Sequence, residues 1–184
     1  MTGSKPEASA SHTAEIGTRI LVLGCPGSGK STFARALHRK TGLPLFHLDN
    51  LWWKADRTHI SREEFDLRLR EILAERQWIL DGDYSRTWEV RISACDTAFL
   101  FDLPEEECVE GVTGRTGCAR PDLPWIETEA DPQLLALVRS YRTEKLPQLQ
   151  DLLRRHPHVR VICFDSRREA DRFADSAAPV QLSE

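Results

Sequence analysis

The chain has 184 residues, of which 40% are hydrophobic and 29% charged, and a formal net charge of −4 with a sequence pI of about 5.9. That balance suits one soluble domain. It gives no support to general duplex-DNA binding, which leans on Lys and Arg to neutralise phosphates; only a local basic patch stays open. No run approaches the roughly 18 apolar residues that a membrane-crossing helix needs.

In chain order, residues 1–17 are rich in Ala, Ser, Thr and Gly without apolar periodicity, so a disordered tail is expected there, with a second at 177–184. Between them, one domain is expected over 18–176. Short, nearly continuous apolar runs at 19–23, 44–48, 77–81, 97–102 and 158–164 predict strands covered on both faces. Helical patterns alternate with them, which argues for a parallel sheet wrapped by helices. The first helix is expected from Lys30 to Lys40. The second opens with the capping box Ser61-Arg62-Glu63-Glu64 and buries Phe65, Leu69, Ile72 and Leu73. A third begins at Pro104, with Glu105–Glu107 facing its positive end, and runs to about Arg115. Residues 116–131 carry two prolines and no period, so they read as a mobile loop. A long helix follows, which Pro147 should kink or divide. The five cysteines are scattered without a Cys-x2-Cys pair, which predicts reduced thiols and a cytoplasmic setting rather than a zinc site.

Residues 24–31 read GCPGSGKS directly after the first strand. The spacing Gly24-x4-Gly29-Lys30-Ser31 is the P-loop pattern, and each position has a physical reason. Gly24, Gly27 and Gly29 allow backbone N–H groups, including those of Ser28 and Thr32, to turn towards a polyphosphate as an anion-binding nest. Lys30, expected on a surface loop, can reach the outer phosphates. Ser31 offers a hydroxyl to Mg²⁺, and the helix it opens points its positive end at the same place.

Farther along, LDGDYSRT ends a strand at Asp81 and carries Asp83 and Arg86, and FDLPEEECVEGVTGR leads through a proline-initiated helix to Arg115. With the P-loop, these stretches resemble adenylate kinase and its relatives. HLDNLWWK, WILDGDYSRT, Arg120-Pro121-Asp122 and SYRTEKLPQL are similar, more narrowly, to the adenylate-kinase-like bacterial DNA topology modulation proteins. The resemblance spans nearly all of residues 19–175. It implies a three-layer α/β P-loop NTPase fold of the nucleoside-monophosphate-kinase type, with five parallel strands in the order 2-3-1-4-5 and a short lid at 116–131. ATP and Mg²⁺ are the implied cofactors, and the implied partners are a nucleotide and a small-molecule acceptor. By position, Asp81 would hold Mg²⁺ through water, Arg86 would grip an acceptor phosphate and Arg115 the transferred phosphoryl group. Asp165 begins the segment that passes backbone around the adenine in relatives.

Other residues are read beside their plainer alternatives. Asp49, at a strand end, could orient or deprotonate an acceptor hydroxyl, or cap the following turn. Arg120 flanks the lid with Arg115, where closure could deliver cations to the transferred group. Trp52 and Trp53 could stack on an acceptor ring or split into one core and one cover residue. Arg86 could equally be a surface ion pair. Two departures matter. Gly111 stands where adenylate kinases carry an arginine that packs on adenine, so base selectivity should be weak. Asp83 would repel a nucleoside monophosphate, which favours a neutral, hydroxyl-bearing acceptor. A phosphotransferase is the leading expectation, and a nucleotide-binding regulator with a DNA-related role is the alternative.

Overall fold

The computed structural model describes residues 16–180. The tails expected at 1–17 and 177–184 fall outside them except for 16–17 and 177–180. Five parallel strands, β1 (Arg19–Gly24), β2 (Leu45–His47), β3 (Trp78–Asp81), β4 (Thr97–Phe101) and β5 (Arg160–Phe164), form one sheet in the order β2-β3-β1-β4-β5. Every pairing is parallel, so each connection is a crossover and every strand ends at the same edge. That shared C-terminal edge is where α/β sheets of this kind place ligands.

The three central strands are buried from end to end apart from Arg19, which explains their unbroken apolar sequence. β5 departs from the expectation of cover on both faces: it is an edge strand, with Val161 exposed and only Phe164 fully buried. Around the sheet pack α1 (Lys30–Thr41), α2 (Leu48–Trp52), α3 (Arg62–Ala74), α4 (Trp88–Ala94), α5 (Glu105–Thr113), α6 (Pro132–Ser140), α7 (Leu146–Arg154) and α8 (Arg167–Ser176). Ser61 caps α3 as its sequence predicts, its hydroxyl accepting from the Glu64 amide at 3.1 Å. The long helix expected after residue 131 is divided by a π-helical turn at Tyr141–Lys145. Pro147 enters just inside the first turn of α7, where its missing N–H costs least.

Phe33 ties α1 to the sheet. Its ring centroid lies 4.8 Å from Phe99, 5.5 Å from Phe101 and 5.3 Å from Phe164, all in edge-to-face contacts. Aromatic pairs of this geometry add about 0.5–1.5 kcal/mol each beyond burial. Because Phe33 lies two residues after Ser31, this cluster fixes the helix end that faces the P-loop.

Candidate active site

The P-loop wraps the N-terminus of α1 as its spacing predicts. Gly27 has φ +81°, and a Cβ there would lie 2.1 Å from the carbonyl oxygen of Cys108, so only glycine lets the loop press against α5. Gly24 and Gly29 also sit at positive φ, and Gly29 serves as the N-cap of α1. The Gly29 carbonyl accepts the first helical bond, from Phe33 N at 3.0 Å, which leaves the earlier amides for an anion. Ser28 is fully buried. Lys30 corrects the surface-loop expectation. It is only 8% exposed, and its ammonium donates to the Cys25 carbonyl at 3.3 Å.

A cavity of about 150 Å³ opens over this loop, lined by Gly27, Gly29, Lys30, Ser31, Thr32, Arg35, Gly111, Arg115, Arg120 and Asp122. The structure therefore brings both expected lid arginines over the expected phosphate-binding residues. Glu127 holds the two together, 3.1 Å from Arg115 Nε and 3.0 Å from Arg120 Nη2. Burial and the neighbouring Arg120 charge lower the pKa of Arg115. Asp122, almost fully buried, bridges Arg120 at 2.9 Å and Arg35 at 3.1 Å. The 116–131 segment is further pinned by Asn50, which donates to the Pro121 carbonyl at 2.7 Å, and by an edge contact of Trp53 with Trp125.

Three carboxylates stand at or just beyond the sheet edge. Asp81 lies level with His47 in the β2–β3 register, and His47 Nδ1 donates to its Oδ2 at 2.7 Å. Burial alone would raise the Asp81 pKa; the His47 hydrogen bond and the Lys30 charge overcome that and hold it below the usual aspartate range. Its second oxygen, Oδ1, is buried without a partner, and the Ser31 hydroxyl is among the groups that stabilise the carboxylate. An ionised carboxylate with a free oxygen beside a serine hydroxyl fits hydrated Mg²⁺, which keeps several waters and few protein ligands.

Asp49, in α2, accepts from Tyr84 Oη at 2.8 Å, and burial raises its pKa despite that bond. Asp83 accepts from Tyr141 Oη at 2.9 Å; burial raises its pKa too, against the opposing charge of Lys30. Arg86 is placed in the plainer of its two readings. It makes a bidentate pair with Asp66 at 2.9 and 2.6 Å on the exposed surface and does not line the cavity over the P-loop. Asp165 is exposed, and its neighbour Arg167 reaches the P-loop instead. Trp52 stacks on His59 at 4.4 Å, while Trp53 takes the outer position against Trp125 of the 116–131 segment.

Sequence reading missed two supports. His47 has no ligand spacing with another His or Cys to announce a role, yet it partners Asp81. Arg91 is fully buried and braces the turn that carries Asp83, donating to Gly82 O at 2.9 Å, to Thr87 Oγ1 at 3.0 Å and to the Asp83 carbonyl. Burial pushes its pKa down to about 10. The available signal was its position: Trp88, Arg91, Ile92 and Cys95 fall at i, i+3, i+4 and i+7, which puts a guanidinium on an apolar stripe.

No family model matches the chain. Adenylate kinases from Thermotoga neapolitana and Thermotoga maritima are each 26% identical to it over 134 residues, covering 55% of this chain and 60% of the relative's length. The chain thus spans well under two thirds of those curated relatives. Among solved structures, shikimate kinase from Bacteroides thetaiotaomicron superposes with a TM-score of 0.58 at 14% identity, covering 86% of this chain and 94% of that one. Shikimate kinase from Acinetobacter baumannii, in complex with shikimate, gives 0.57 at 16% identity, covering 88% and 90%. A sugar kinase from Janibacter gives 0.53 at 17%, covering 87% and 91%. The sheet order, the P-loop and these neighbours agree on a P-loop kinase-like α/β fold.

Proposed function

We propose that the chain is an ATP-dependent, Mg²⁺-assisted phosphotransferase acting on a nucleotide or small hydroxyl-bearing metabolite, with neutral acceptors favoured. The observation that carries this reading is the single cavity shared by Lys30, Ser31, Arg115 and Arg120. Phosphoryl transfer spreads charge over equatorial oxygens, and cations held around that position are what lowers its barrier. Lys30 and the P-loop amides would hold the β- and γ-phosphates, and Arg115 and Arg120 would face the transferred group. Ser31 and the free oxygen of Asp81 would hold hydrated Mg²⁺, which neutralises phosphate charge when bound. Asp49, on the adjoining helix, would orient the acceptor hydroxyl and take its proton. The lid segment over the cavity would keep water from the γ-phosphate.

The acceptor preference rests on charge. Asp49 and Asp83 follow the C-terminal ends of β2 and β3, where an acceptor would approach, and Arg86 is committed to Asp66. A monophosphate would bring about two further negative charges into that setting. The test is ATP turnover screened against nucleosides, nucleoside monophosphates and small polyhydroxylated metabolites. Turnover with uncharged hydroxyl compounds supports the reading; selective turnover with monophosphates overturns the acceptor preference. The alternative, a nucleotide-binding regulator with a DNA-topology role, gains support from no contact described above. Tight, steeply salt-dependent duplex binding in a filter assay would favour it.

A further inference from the structure

Two thiols meet at the base of the P-loop. Cys25 follows Gly24 at the end of β1, and Cys108 is the fourth residue of α5. Both are free and buried, Cys25 at 5% exposure and Cys108 at none. Their side chains share a hydrogen bond, and both line one small chamber of about 10 Å³, roughly the room of a single water. Asp102, Glu105 and Arg142 belong to the same wall. Glu105 is exposed, and the Arg142–Asp102 pair, at 3.5 Å, leaves the Arg142 side chain 58% exposed. The chamber therefore ends beside water and admits only the smallest reagents.

The surroundings make the thiols unequal. The hydrogen bond from Cys25 holds Cys108 below the usual thiol range, and the Lys30 and Arg167 charges act the same way against the cost of burial. Cys95, equally buried, is pushed up to about 12 by burial and the Asp96 charge. The thiolate is the form that attacks an oxidant, so Cys108 is the reactive member and Cys95 an inert reference.

Building on the phosphotransferase reading, we propose that Cys25 and Cys108 form a modification site, a dithiol that hydrogen peroxide converts to a disulfide and that thereby closes the phosphate nest. The Cys108 thiolate attacks one peroxide oxygen and the O–O bond breaks, giving a sulfenic acid; the departing hydroxide takes the proton Cys108 gave up and leaves as water. The Cys25 sulfur then attacks the Cys108 sulfur, the S–O bond breaks, and that hydroxide leaves as water with the Cys25 proton. Two thiols and one peroxide thus become one disulfide and two waters.

Closure follows from what Cys25 carries. Its carbonyl accepts from the Ser28 amide at 3.2 Å and from the Lys30 ammonium at 3.3 Å, so it anchors both the loop and the lysine. A disulfide holds its sulfurs about 2.05 Å apart, far inside a hydrogen-bonded separation. Forming it draws the P-loop and α5 together where Gly27 already lies against the Cys108 backbone, so the loop must shift.

The test uses the full chain with the exposed Cys118 and Cys163 replaced by serine, before and after hydrogen peroxide and again after dithiothreitol. Peptide mapping of the alkylated protein should find Cys25 joined to Cys108 and Cys95 still a thiol. By calorimetry, the Kd for MgATP should rise at least about tenfold on oxidation and return with dithiothreitol. Adding Cys108→Ala should abolish the peroxide effect and leave the affinity of the reduced protein in place; the mapping decides without it if that variant does not fold. Oxidation of Cys108 without the cross-link, or oxidation of Cys95 to the same extent, overturns the pair. A mapped disulfide with an unchanged Kd overturns the closure. A reduced protein that binds no MgATP sinks the phosphotransferase reading and the closure with it, while the map still decides the pair.

Discussion

Tyr84 and Asp49 meet just beyond the ends of β3 and β2 through a 2.8 Å bond from the phenol to the carboxylate. Burial raises the Asp49 pKa, the Tyr84 bond opposes that rise, and the Asp81 charge adds to it. A base must be ionised to accept a proton, so kcat/KM should climb with pH through a value above the ordinary aspartate range. Tyr84→Phe removes the donor that favours the carboxylate, so the acidic limb should move to higher pH. A pH–rate profile of both proteins checks this; an unmoved limb would separate Asp49 from the proton transfer.

Arg120 bridges Glu127 and Asp122, and both carboxylates leave it facing the cavity over the P-loop. If it stabilises charge that develops during transfer, its loss should appear in kcat rather than in nucleotide affinity. Arg120→Ala is expected to lower kcat on the order of 10³-fold, while the KM for ATP changes by less than about fivefold. Steady-state kinetics decides between this and a purely binding role, in which KM rises and kcat holds.

Arg91 makes its bonds at zero exposure, so replacing it strands carbonyl groups of the 82–84 turn without donors. Arg91→Met keeps most of the length and removes every donor. It should cost about 3 kcal/mol in urea unfolding. The same turn carries Asp83, whose pKa the Arg91 charge lowers, so the carboxylate should become still harder to ionise. Unchanged stability would mean that the turn holds without its brace.

The sheet was legible because buried parallel strands leave continuous apolar runs, and the P-loop because its chemistry is local: Gly24 to Ser31 carries the whole nest. That Arg115 and Arg120 come near the P-loop was legible from their positions beside and within residues 116–131. What stayed hidden depends on distant register. His47 meets Asp81 only because β2 lies beside β3, and Arg167 reaches Gly27 across 140 residues of sequence. The acidic partners of Arg115 and Arg120 were missed because residues 116–131 have no period to read. α2 and α4, five and seven residues long, were too short to show one. Arg86 could be read either way, since nothing in its neighbours announces that Asp66 on α3 comes within reach.

We propose that residues 24–31 bind the polyphosphate of ATP, a role that turns on Lys30. Its ammonium donates to the Cys25 carbonyl of the loop and lines the cavity above it. Calorimetric titration of MgATP into wild type and Lys30→Ala, with folding confirmed by circular dichroism, is the measurement. Micromolar-range binding is expected in the wild type, with a loss of about 100-fold in the variant, equal to about 2.7 kcal/mol. Equal ATP affinity in the two folded proteins would contradict it.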